Sequence, residues 1–118
     1  VGTPEEPDFT GRIVLMEDVG EAIYRVDRLL VQLLRAGLLQ NAAGFVIGTV
    51  TNYEDTQTEE PYIRLEDVWQ EHLVPLGKPT IAGFPFGHEP NPLTLPLGCL
   101  AELNADAGTL TVLEPAVR

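Results

Sequence analysis

A chain of 118 residues, 44% of them hydrophobic and 21% charged, has the composition of one globular domain and is too short for two separate cores. Seven basic against eighteen acidic residues give a net charge of −11, which excludes an electrostatic nucleic-acid footprint and leaves an acidic surface able to attract a basic partner. No run approaches the ~18 apolar residues of a membrane helix, no segment reads as a signal peptide, and a lone cysteine, Cys99, fits a reducing compartment such as the cytosol.

In chain order, residues 1–11 carry prolines, glycines and acids and read as an extended linker entering the domain. The first residue is Val1 and the only methionine is Met16, so a processed or excised piece of a longer protein is expected. Residues 12–17 form a β-rich, buried strand. Asp18 to Gly20 is a turn, with Asp18 placed as a helix N-cap and Glu21 near the positive end of the helix dipole. Ile23, Val26, Leu29, Leu30, Leu33 and Leu34 then recur at helical spacing opposite Arg25, Asp27, Arg28 and Arg35, and Gly37 ends the helix. Apolar residues 42–50 make a second buried strand. Residues 51–61 are polar and acidic and read as a mobile loop.

Leu65, Val68, Trp69, Leu73 and Leu76 define a shorter helix that stops near Pro75 and Gly77. Residues 80–84 are a third strand, a Pro/Gly-rich loop runs to Pro96, and residues 97–103 are a fourth strand. Residues 104–108 make a hairpin turn into a fifth strand over residues 109–113. The order β-α-β-α-β plus a C-terminal β-hairpin predicts a single mixed α/β domain with helices packed on a sheet.

The chain contains no serine. Glu17 falls at the carboxyl end of a buried strand, where α/β folds place ligands and catalytic groups. His88 sits in a loop stiffened by Pro85, Pro90, Pro92 and Pro96. If they meet, the carboxylate can fix the imidazole tautomer and stabilise the imidazolium, making an acid–base pair without a nucleophile. On spacing alone the commoner meaning of Glu17 and Asp18 is acids capping the next helix, and of His88 a surface or structural histidine. His72 lacks any comparable setting and reads as a solvated helix residue. Cys99, within an apolar stretch, reads as a small buried residue rather than a nucleophile. No HxxxH, HExxH or cysteine-pair spacing predicts a metal site, and no Gly-rich phosphate loop is present.

Taken together, Gly2-Thr3-Pro4, the stretch from Gly11 through Glu17-Asp18-Val19-Gly20-Glu21, Tyr24-Arg25-Val26-Asp27-Arg28-Leu29-Leu30, Ala43-Gly44-Phe45-Val46-Ile47-Gly48, Phe84-Pro85-Phe86-Gly87-His88, and Asn91 with Thr94-Leu95-Pro96-Leu97-Gly98 form an ordered set. This set resembles the C-terminal domain of the LD-carboxypeptidase (muramoyltetrapeptide carboxypeptidase) family, which includes the microcin C immunity peptidases. The resemblance implies a swivelling β/β/α-like domain over residues 12–118, with residues 1–11 as the linker from an N-terminal nucleophile domain. It also implies a Ser-Glu-His triad whose serine lies on that N-terminal domain and whose acid and base fall on Glu17 and His88, with Glu21 the rival for the acid. The implied reaction is hydrolysis of the amide to a terminal D-Ala in cytoplasmic murein tetrapeptides, or of peptidyl-nucleotide antibiotics in one branch, by a homodimer without metal or organic cofactor. Glu89 departs from the small residue that follows the histidine in many relatives. The alternative, a non-catalytic acidic α/β module that binds a peptide or partner domain, draws on the absence of serine.

Overall fold

The computed structural model describes residues 1–51 and 63–117. Apart from Thr51 itself, the loop expected over residues 51–61 lies outside the described residues. Strands β1 (Ile13–Val19), β2 (Gly44–Thr51) and β3 (Thr80–Ile81) form a parallel sheet in the order β1-β2-β3. Helix α1 (Ile23–Arg35) crosses from β1 to β2, and α2 (Leu65–His72), continued by a 3₁₀ turn over Val74–Leu76, precedes β3. Strands β4 (Ala101–Asn104) and β5 (Thr109–Val112) pair as a separate antiparallel hairpin. The mixed α/β fold is therefore as the sequence predicts.

Parallel strands buried on both faces need two coverings, and the alternation along β2 provides for both. Phe45 and Ile47 point to one face and join Val14, Ile23, Leu30, Val68 and Leu73 in a single apolar cluster, so both helices cover that face. Gly44, Val46 and Gly48 point to the other. A Cβ on Gly44 would lie 2.6 Å from the Leu103 side chain of β4, and one on Gly48 would lie 2.7 Å from the carbonyl oxygen of Phe86. The hairpin and the Phe86 loop thus lie against the second face, close enough that only glycine fits beneath them.

Near its end β2 changes its alternation. Met16 pairs with Ile47 and Asp18 with Val50, so two residues of β2, Gly48 and Thr49, stand opposite Glu17. This β-bulge was not foreseen; such insertions re-aim the side chains that follow.

Helix α1 begins differently from expectation. Its N-cap is Ala22, with no side-chain cap. Asp18 instead belongs to β1, where Oδ1 accepts from its neighbour Val19 N at 2.7 Å, and Glu21 pairs with Arg25 across one turn at 3.2 Å. Leu29, assigned to the apolar stripe, is exposed. The C-terminus closes as predicted: Gly37 N–H donates to Leu34 O and Leu38 N–H to Leu33 O, with Gly37 at φ 79°. Helix α2 opens on a reciprocal cap between Arg64 and Asp67, whose hydrogen bonds from the Arg64 side chain and backbone hold the Asp67 carboxyl below its usual range.

Four further expectations are corrected. The strand foreseen over residues 80–84 stops at Ile81, because it pairs on one side only and Gly83 turns away at φ 71°. The strand foreseen over residues 97–103 starts at Ala101. Leu97 and Leu100 are exposed, and Cys99 is half-buried rather than buried. His72 is not solvated: its side chain is 10% exposed and Nε2 lies 2.5 Å from Asp27 Oδ1, tying α2 to α1. Hydrogen bonds to charged groups contribute about 1.5–3 kcal/mol, so His72→Ala and Asp27→Ala should each destabilise the fold by roughly that amount in urea unfolding, and the double variant by less than the sum. Full additivity would mean the pair contributes nothing.

Candidate active site

Glu17 and His88 meet. On β1, Ile13, Leu15 and Glu17 alternate onto the second face of the sheet, away from the helices, and the Phe86 loop brings His88 over that face. His88 Nδ1 lies 2.9 Å from Glu17 Oε2, across a sequence separation of 71. A carboxylate can only accept, so Nδ1 carries the hydrogen and donates it. In the neutral ring this leaves Nε2 with its lone pair free to take a proton, and the carboxylate then stabilises the imidazolium. The imidazole is 61% exposed and the Glu17 side chain 32%, so the pair is open to approach from solvent.

The approach of acid to base depends on Gly87. Its φ of 100° lies where side chains are rarely tolerated. A Cβ there would also stand 2.8 Å from Glu17 Oε2 and 2.9 Å from Glu17 Cβ. The loop on the N-terminal side of Gly87 is bound to the sheet by backbone: Phe84 N–H donates to Ile47 O at 2.9 Å, and Thr49 N–H donates to Phe86 O at 3.3 Å. Phe86 is buried against Gly48, with Phe84 tilted beside it at 6.4 Å between ring centroids. Sequence reasoning paired Glu17 with His88 through the family resemblance but did not foresee these glycine contacts; Gly87 directly before the histidine was the available signal.

The other candidates fall elsewhere. Glu21, the rival acid, is engaged with Arg25 on α1. Glu89, beside the histidine, accepts from the Thr49 hydroxyl at 3.0 Å through Oε2. Cys99 lines a groove of about 350 Å³ with Ile13, Leu15, Leu97 and Val112; neither Glu17 nor His88 borders it, so the thiol is not aligned with the dyad. Among the described residues no cluster of three His, Cys, Asp or Glu could hold a metal ion, and no helix is long and apolar enough to cross a membrane.

Residues 1–103 match the LD-carboxypeptidase C-terminal domain. The chain belongs to the LD-carboxypeptidase family. A Streptomyces coelicolor protein bearing a carboxypeptidase name is 43% identical over an aligned length of 118, covering 99% of this chain and 36% of the relative. A Bacillus subtilis protein named for murein peptide carboxypeptidase activity is 32% identical over 95% of this chain and 35% of its own length. The crystal structure of a muramoyltetrapeptide carboxypeptidase from Oxalobacter formigenes superposes with a TM-score of 0.80 at 34% identity, covering 92% of this chain and 38% of that one. This LD-carboxypeptidase domain therefore spans a little over a third of the length of these relatives.

Proposed function

We propose that the chain is the C-terminal domain of a serine-type LD-carboxypeptidase, in which Glu17 and His88 are the acid and base of a Ser-Glu-His triad. The observation that carries this reading is the 2.9 Å contact between His88 Nδ1 and Glu17 Oε2 in a solvent-open setting. In this reading residues 1–11 link to an N-terminal domain that bears the serine. His88 Nε2 takes the serine proton as the serine oxygen attacks the carbonyl of the scissile amide. The imidazolium then gives that proton to the departing D-Ala amine, leaving an acyl-enzyme. Water, deprotonated by the same nitrogen, hydrolyses the acyl-enzyme and restores the serine.

Murein tetrapeptides ending in D-Ala are the proposed substrates, supported by the names of the Bacillus and Oxalobacter relatives. A cytoplasmic location is proposed from the lone cysteine, and a homodimer from the family resemblance. The test is release of D-alanine from murein tetrapeptide by the full-length protein, meaning this chain joined to its serine-bearing domain. The 118-residue chain alone is expected to release none, because it contains no serine. Turnover by the isolated chain that survives Cys99→Ala would require another mechanism. The second reading, a non-catalytic binding module, also rests on the missing serine. An inactive full-length protein that binds the tetrapeptide would favour it.

A further inference from the structure

We propose that Thr49 and Thr51, at the end of β2, are positioning residues that fix where His88 presents its imidazole to Glu17; the inference rests on the catalytic reading of that pair. Gly87 divides the loop. On its N-terminal side the chain is held by backbone hydrogen bonds and by Phe86 packed on Gly48. Gly87 itself has no Cβ and a φ of 100°, so the chain turns there without a side chain to anchor it. Beyond it, apart from the Glu17–His88 bond, the loop's hydrogen bonds to the sheet come, among the described residues, from two threonine hydroxyls. Thr51 Oγ1 donates to the carbonyl oxygen of His88 at 2.9 Å, and Thr49 Oγ1 donates to Glu89 Oε2 at 3.0 Å.

The bulge makes this possible. Under strict alternation residues 49 and 51 would share the helix-facing side of Phe45 and Ile47. With Gly48 and Thr49 together opposite Glu17, the alternation shifts. Val50 now lines the cleft beside α1 with Val26 and Trp69, and both threonines turn to the loop. A single solvent-exposed contact such as Glu17–His88 is too weak to fix the imidazole by itself. Two hydroxyls gripping His88 and its successor on a rigid strand supply the missing constraint. They also give Glu89 a use: its carboxylate is the far end of the Thr49 clamp.

The experiment uses the full-length protein, with Thr51→Val and Thr49→Val removing each hydroxyl at nearly constant shape, and Thr51→Ser and Thr49→Ser restoring it. Two readouts are taken. Histidine-selective ¹⁵N spectra, with His88 assigned by its loss in His88→Ala, report whether Nδ1 alone carries the ring proton. Steady-state kinetics on murein tetrapeptide report kcat and KM. The valine variants should average the two His88 ring-nitrogen signals and lower kcat at least about tenfold with little change in KM, since small misplacements of a catalytic group cost rate rather than binding. The serine variants should recover both, and in a Glu17→Ala background the threonine effect on kcat should vanish. Valine variants with the wild-type ¹⁵N pattern and kcat, or losses that serine does not restore, overturn the inference. If His88→Ala remains fully active, the catalytic reading fails separately and the ¹⁵N pattern alone decides the positioning role.

Discussion

Replacing His88 with alanine in the full-length protein is expected to lower kcat for D-alanine release by on the order of 10⁵–10⁶-fold, the loss seen when a triad loses its base. In the proposed triad, losing the imidazole leaves nothing to remove the serine proton or return it to the amine, and the remaining rate would come from substrate binding and transition-state hydrogen bonding by the proposed N-terminal domain. Glu17→Ala should cost less, on the order of 10⁴-fold, because the base remains but loses the partner that fixes its tautomer and stabilises its charged form. Glu21→Ala should stay within about twofold, since a surface pair with Arg25 contributes little to stability and touches neither reacting group. The measurement is steady-state release of D-alanine, on variants shown folded by circular dichroism. If Glu21→Ala proves as damaging as His88→Ala while Glu17→Ala keeps most activity, the acid belongs to Glu21 and the 2.9 Å contact is incidental.

That ranking could be drafted from the sequence because the residues it concerns lie in local patterns. The strand ending at Glu17, the stripe on α1 and the proline-rich stretch around His88 are each legible within about a dozen residues. Their meeting is not. Glu17 and His88 stand 71 residues apart, and resemblance to the family paired them where spacing favoured a simple helix cap. What escaped sequence reasoning was set by distant partners. His72 is nearly buried because Asp27, 45 residues earlier, lies beneath it. Residues 97–100 have strand composition, yet the regular pairing of β4 with β5 begins only at Ala101. The bulge opposite Glu17 exists only in the pairing of β1 with β2, so neither strand's own sequence announces it.

Gly87→Ala is expected to lower kcat by about 10²–10³-fold while leaving the rest of the domain folded, from two separable effects. The first is backbone strain, since a φ of 100° costs a residue with a Cβ about 1–3 kcal/mol whatever surrounds it. The second is contact, because the new methyl would stand 2.8 Å from Glu17 Oε2 and 3.1 Å from Glu17 Cγ, distances at which something must move. The flanking backbone is held by Phe86 on Gly48 and by the Thr51 hydroxyl on His88, so the side chain that gives way is Glu17, and the Glu17–His88 bond opens. Glu17→Gly separates the two effects by removing the three atoms nearest the methyl while leaving the strain at residue 87. Measured by urea unfolding, Gly87→Ala should therefore cost less stability in the Glu17→Gly background than in the wild type. In activity it should add little to the loss that Glu17→Gly already causes. Equal stability costs in both backgrounds, with kcat near wild type for Gly87→Ala alone, would mean that the loop yields and that the glycine is there for its backbone angle only.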